Sequence, residues 1–157
     1  MNLSPLQLIR YLVPEISCVA NEHYDVERSS DLNDNTFKVE SQIYPLESKE
    51  PKKYTAWSVE LDLCQLPDES ANIPYQFKVK IVGLFRCSKK KADLTPEVFV
   101  RTNGSSILYG IARETLRSIT SVGPWGDMLL PTISFYKEPA ADKPLIPKKS
   151  RERKEKK

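Results

Sequence analysis

Histidine occurs once in these 157 residues, at His23, and that scarcity removes most hydrolytic and nucleophilic chemistry at a stroke. A Cys-His or Ser-His pair would have no other base to use, and His23 sits in the polar stretch Asn21-Glu22-His23-Tyr24-Asp25, which reads as a solvated turn. Glycine is scarce too, with five residues and no Gly-x-Gly-x-x-Gly, Gly-Lys-Ser/Thr or Gly-x-Ser-x-Gly pattern, so no phosphate cradle or nucleophile elbow is encoded. The three cysteines, Cys18, Cys64 and Cys87, are odd in number and far apart; they support neither a disulfide framework nor a zinc site, and fit reduced thiols. No run approaches the ~18 apolar residues of a membrane span. Gln7, Arg10 and Glu15 interrupt the apolar residues near the start, where a secretory signal would need them continuous. A cytoplasmic protein without cofactor, metal or catalytic residues is the expectation.

What is present is organised. The last fifteen residues, from Lys143 to Lys157, hold eight Lys or Arg against two Glu, a charge of +6. The whole chain carries +3, so residues 1–142 carry −3 and the basic balance belongs to the tail. Composition changes after Tyr136, which places a domain over residues 1–138 and a basic, disordered tail over 139–157.

Within the domain, four segments alternate with period two, as half-buried antiparallel strands do. Tyr75, Phe77, Val79, Ile81, Phe85 and Cys87 share one face, with Gly83 in the same register as a bulge or a close backbone approach. Trp57, Val59, Leu61 and Leu63 form a second strand, and Phe37, Val39 and Ile43 a third that ends near Pro45. Leu6 to Ala20 is the first, and Pro14 within it predicts an edge strand or a bulge. Asp31 to Asn35 and Pro67 to Ser70 read as loops.

The period then shifts. Thr95-Pro96-Glu97 opens a short helix through Val100, and after Asn103-Gly104 a main helix is expected over Ser105–Val122, stopped by Gly123-Pro124. Ile107, Ile111, Thr115 and Ile119 form one ridge of it and Leu108, Ala112 and Leu116 the next, with Arg113, Glu114, Arg117 and Ser118 on the wet side. Strands followed by helix argue for an α+β meander sheet with the helix on one side. Asn103 to Ser106 reads as a helix cap ahead of an anion site, and Glu60 with Asp62 as a solvated face ahead of a carboxylate pair. No aromatics interleave with the charges of the tail, so nucleic-acid or anionic-surface binding through it is a minor alternative to a solubilising role. Pro124 to Tyr136 fits neither period. It is pinned by two prolines yet rich in large apolar side chains, and such a loop either docks on the core or awaits a partner.

Over residues 6–136 the chain resembles the SecB export-chaperone family. The likeness is carried by Val82-Gly83-Leu84-Phe85, by Ile107-Leu108-Tyr109-Gly110-Ile111-Ala112-Arg113-Glu114-Thr115-Leu116, by Val122-Gly123, and by Leu129-Leu130-Pro131-Thr132-Ile133-Ser134-Phe135 in the position of the family's crossover loop. The resemblance implies a four-stranded antiparallel sheet backed by a long helix, a homotetramer built as a dimer of dimers, and an ATP-independent holdase that binds unfolded polypeptide clients in apolar grooves. It implies client contacts at Trp125, Met128, Leu129, Leu130, Ile133 and Phe135, and a core or subunit-interface role for Ile107, Ile111, Thr115 and Ile119. The family docks its translocase ATPase, SecA, on acidic positions of the sheet; here Lys78 and Val19 stand where acids are expected, and Glu15 keeps one. The chain also departs from the family by breaking off at Lys137-Glu138-Pro139 into a basic tail, where members carry a second helix and an acidic end. These departures favour a role outside export, such as a dedicated adaptor guarding one aggregation-prone antitoxin.

Overall fold

Apolar side chains at every second position need one shared dry face, and four strands supply it. A computed structural model of the chain describes residues 3–30, 37–66, 68, 70–89 and 95–136. The loop at 31–35, Pro67 and Glu69 of the second loop, the domain boundary near 138 and the tail lie outside the described residues. The strands are β1 (Leu6–Ala20), β2 (Phe37–Leu46), β3 (Tyr54–Gln65) and β4 (Tyr75–Ser88), all antiparallel, followed by one helix, α1 (Pro96–Thr120). Val59, Leu61, Leu63, Tyr75, Phe77, Val79, Ile81, Phe85 and Cys87 are buried beneath Val100, Leu108, Ala112 and Leu116 of α1. The inward faces read from the sequence are the inward faces of the fold.

Three expectations need correction. The sheet runs β1-β4-β3-β2, so the first strand pairs with the fourth and the order is that of a Greek key, not a simple meander. A single 25-residue helix replaces the short helix and main helix. Gly104 lies inside it, where a Cβ would meet Val59 Cγ2 at 3.0 Å, so this glycine lets helix and sheet approach closely and does not break the helix. Asn103 donates its side-chain amide to Phe99 O, one turn back. The third is the helix end, which comes at Thr120, before Gly123. Gly123 is needed for space instead: a Cβ there would meet the Tyr75 hydroxyl at 2.5 Å.

Gly83 resolves to close approach, since a Cβ would sit 2.8 Å from Leu108 Cδ2. The bulges are on β1, between Leu8 and Arg10 and between Leu12 and Glu15, the second spanning Pro14. A proline has no N–H to give a ladder, and an extra residue in an edge strand accommodates it.

Candidate functional site

Residues 121–136 follow α1 without regular structure, and side chains hold them where backbone pairing does not. The buried Tyr75 hydroxyl, on β4, is the centre of this anchoring. It lies 3.0 Å from Gly126 O and 3.3 Å from Thr120 O as donor, and accepts Trp125 N–H at 3.1 Å. Thr120 Oγ1 accepts Met128 N–H at 2.8 Å, and Tyr109 donates to Pro131 O at 2.6 Å. Burial pushes the Tyr109 phenol above its ordinary pKa, with Arg113 opposing, so it remains a donor. The Trp125 indole N–H donates to Asn21 O at 2.9 Å, and its ring tilts against Tyr24 at 5.7 Å between centroids. Gly126 takes φ 76°, the left-handed turn that sends the chain back over the sheet.

The six apolar residues expected to meet clients separate by depth. Met128 and Leu130 are in the core, Leu130 with no exposed surface, so their side chains are turned away from solvent. Trp125, Ile133 and Phe135 are half-buried against the core, and Phe135 meets the Tyr109 ring edge-on at 5.9 Å. Leu129 is 63% exposed. The alternation arises because the extended segment docks alternate side chains, as a strand would.

Ile133, Ser134 and Phe135 form one wall of a cleft of about 260 Å³; Val39 and Ser41 of β2 form the other, and Arg101 of α1 lies at its rim, ion-paired with Glu97 at 3.3 Å. Ser41 also bonds the fully buried Ser105 hydroxyl across 2.6 Å, which fixes β2 to the helix. Ser105 is thus an internal strut, and Asn103 to Ser106, placed mid-helix, have no free N-terminal amides for an anion. A second cleft, about 380 Å³, opens on the other side of the same segment, lined by Tyr24, Pro74, Trp125, Asp127, Leu129 and Pro131. Nothing in the sequence marks the β2 wall, because Val39 and Ser41 show only strand alternation.

Elsewhere the chemistry is quiet. A polar cleft of about 600 Å³ holds Asn21, His23, Arg28 and Asn72. Its amides tie turns together, Asn72 donating to Asp25 O, Arg28 O and Ser29 O. Glu60 and Asp62 share Lys80 at 3.0 and 3.8 Å, and a hydrogen bond to Glu60 first, then the charge of Asp62, holds that ammonium above its ordinary pKa. No cluster of His, Cys, Asp and Glu suited to a metal occurs among the described residues, and none of their helices is long and apolar enough to cross a membrane. The helix ridge expected at an interface lies beside the packed one: Ile107 and Ile119 are exposed, Ile111 and Thr115 half-buried.

No family model matches the chain, and neither does any curated protein. Among solved structures, a protein of unknown function from Streptococcus agalactiae is similar in fold, with a TM-score of 0.57 and 11% identity over 81% of this chain and 97% of that one. A SecB-like chaperone of Mycobacterium tuberculosis, solved with an antitoxin peptide, aligns over 82% of this chain and 91% of its own, with 13% identity and a TM-score of 0.44. The likeness to the Streptococcus agalactiae structure is one of fold. Four antiparallel strands carry one long helix on one face, and an apolar segment returns across the sheet.

Proposed function

We propose that this chain is a polypeptide-binding protein that acts as an ATP-independent holdase for non-native chains. The observation that carries the reading is the cleft between β2 and residues 133–135, where Val39, Ile133 and Phe135 stand beside Ser41, Ser134 and Arg101, in a segment whose Leu129 side chain is left in water. Exposed large apolar groups grouped around a groove mark a binding surface. A binder with affinity for unfolded chain and none for native chain withholds the former from aggregation by mass action, and needs no nucleotide. Several weak sites on linked copies raise affinity for a long client above that for a short one. The ridge Ile107, Ile111, Thr115 and Ile119 serves as the seam of a homotetramer that provides such linkage.

A role outside export is favoured by Glu15. The acid retained on the outer sheet face is neutralised by Lys78 at 2.9 Å, leaving little for a basic translocase to grasp. The same cleft then serves a dedicated adaptor guarding one aggregation-prone partner. Suppression of aggregation of a chemically unfolded, slow-folding client, without ATP, tests the reading. Saturating suppression supports the holdase; no suppression by a folded oligomer favours the adaptor, and a pull-down then yields one partner. Leu129→Ala weakens client binding at unchanged stability, because its side chain contributes little to the core; unchanged binding removes Leu129 from the site.

A further inference from the structure

The face of the sheet away from α1 divides in two along the strands. Towards one end its paired positions carry Lys38, Lys78 and Lys80 with Glu15, Glu40, Glu60 and Asp62, and these charges nearly cancel. Lys78 pairs with Glu15 at 2.9 Å, and Lys80 with Glu60 at 3.0 Å and Asp62 at 3.8 Å. Towards the other end the character changes. Its paired rows are Gln7, Arg86, Ala56 and Leu46, then Arg10, Leu84, Ser58 and Tyr44, and neither row contains a carboxylate. Among the described residues, Arg10 and Arg86 have no ion pair.

A cleft of about 410 Å³ opens at this end, lined by Ile9, Leu46, Tyr54, Ala56, Leu84 and Arg86, and by residues 47–50 of the connection to β3. The first register slip of β1 supplies Ile9: two residues, Ile9 and Arg10, stand where one would, opposite Leu84. A bulge re-aims a side chain, and here it brings Ile9 into the lining beside Leu84. Ile9, Tyr44 and Leu46 are all exposed. Arg86 is held over the Tyr54 ring, its guanidinium carbon 5.0 Å from the ring centre. Glu47 and Glu50 in the connection are outnumbered by Lys49, Lys52 and Lys53, with Lys53 taking up Glu50 at 3.1 Å. Lys89 N–H donates to Lys53 O at 3.1 Å, which adds one more cation.

We propose that this end of the outer face docks an acidic segment of a partner protein, with one large apolar side chain in the cleft and carboxylates against Arg10 and Arg86. Exposed apolar groups gathered at a concavity mark an interaction surface. Arginine is enriched at protein interfaces because its planar fork matches a carboxylate in two hydrogen bonds, and these two guanidiniums have no carboxylate of their own. The basic tail, Lys143 to Lys157, has the same sign as the patch and is repelled by it. A phosphate polymer would gain from the arginines but leave the apolar lining uncovered. The cleft between β2 and residues 133–135 lies on the α1 face, so the two sites are on opposite sides of the sheet and neither needs the other.

The test selects phage-displayed random peptides on the full chain, with counter-selection on the triple variant Ile9→Ser, Arg10→Glu and Arg86→Glu, all exposed positions. Peptides that combine acids with a large apolar residue are the expected survivors. By fluorescence anisotropy each should lose affinity by about tenfold or more for the triple variant, and again when its acids are exchanged for Gln. Added salt should weaken binding, since both arginines are exposed. If the triple variant misses the parent's urea midpoint, Ile9→Ser and Arg10→Glu are used singly. Suppression of client aggregation should be equal in variant and parent; a parallel loss would merge the two sites and overturn the proposal. No survivors, or survivors without an excess of acids, overturn it as well. Duplex DNA binding or self-association that the variant loses, where peptides fail, assigns the patch to a different occupant and has the same effect.

Discussion

Replacing Tyr75 by Phe removes one oxygen and should loosen the whole return segment. That oxygen meets Trp125 N, Gly126 O and Thr120 O within 3.0–3.3 Å while the Tyr75 ring is 3% exposed. Thr120 O keeps a partner in Gly123 N–H at 2.8 Å, so the groups orphaned are Trp125 N–H and Gly126 O. Losing a net hydrogen bond costs about 1 kcal/mol and an orphaned buried partner roughly 1–3 more; partial solvent access at Trp125 and Gly126 favours a total near 2 kcal/mol. With a urea slope of about 1–3 kcal/mol per molar, the midpoint falls by roughly 1 M at unchanged slope. Urea unfolding at fixed protomer concentration checks this, since an oligomer's stability depends on concentration. Hydrogen exchange at the Trp125 amide should accelerate well beyond that of β3 amides. A midpoint unmoved, with Trp125 exchange unchanged, refutes the idea that one hydroxyl anchors the segment. Tyr109→Phe, which loses a single bond to Pro131 O, should show about half the shift.

Three further outcomes follow from the packing and charges. Gly83→Ala should destabilise by about 1–3 kcal/mol in the same urea assay, because the new methyl collides with the Leu108 and Phe85 side chains at 2.8 and 2.6 Å. If the proposed homotetramer forms through the helix ridge, Ile107→Glu combined with Ile119→Glu, at positions 38% and 39% exposed, should shift it to smaller species in sedimentation velocity while far-ultraviolet circular dichroism is retained. Glu114 is held below its ordinary carboxylate pKa of 4.5 by a hydrogen bond from Arg117 and then by its charge. A depressed folded-state value means that its contribution is present above the ordinary pKa and is lost as pH falls through the folded one. Glu114→Gln should therefore flatten that part of the acid limb in thermal melts, and an unaltered limb would assign the acid sensitivity elsewhere.

The strands were legible because each buries one face, so period two had to persist from Tyr75 to Cys87 and from Trp57 to Leu63. Even the irregularity of β1 was written in Pro14. The strand order went unread: the connections from β2 to β3 and from β3 to β4 suit neighbouring strands, but residues 21–36 make a link too long for a hairpin between β1 and β2, and β1 pairs with β4 through contacts distant in sequence. Asn103-Gly104 misled for a physical reason, since a glycine required for close helix–sheet approach reads the same as one that ends a helix. In the return segment, hydrophobicity marked the residues but not their depth. Met128 and Leu130 are core while Leu129 is in water, a division set by Tyr75, fifty residues before Trp125, and by Thr120 at the end of the helix. The β2 wall of the cleft needed the three-dimensional juxtaposition of Ser41 with Ser105.

The bulged, proline-bearing β1 has a consequence for self-assembly. A sheet with two outer strands is at risk of seeding cross-β fibrils, which grow only where each added strand presents a fresh edge to the next. With β1 capped at one side of the sheet, polymerisation has a single direction in which to run, and the prolines at 14 and 45 limit the length of ladder either side can template. Pro14→Val, by removing the residue that interrupts the β1 ladder, should raise thioflavin-positive aggregation on prolonged incubation.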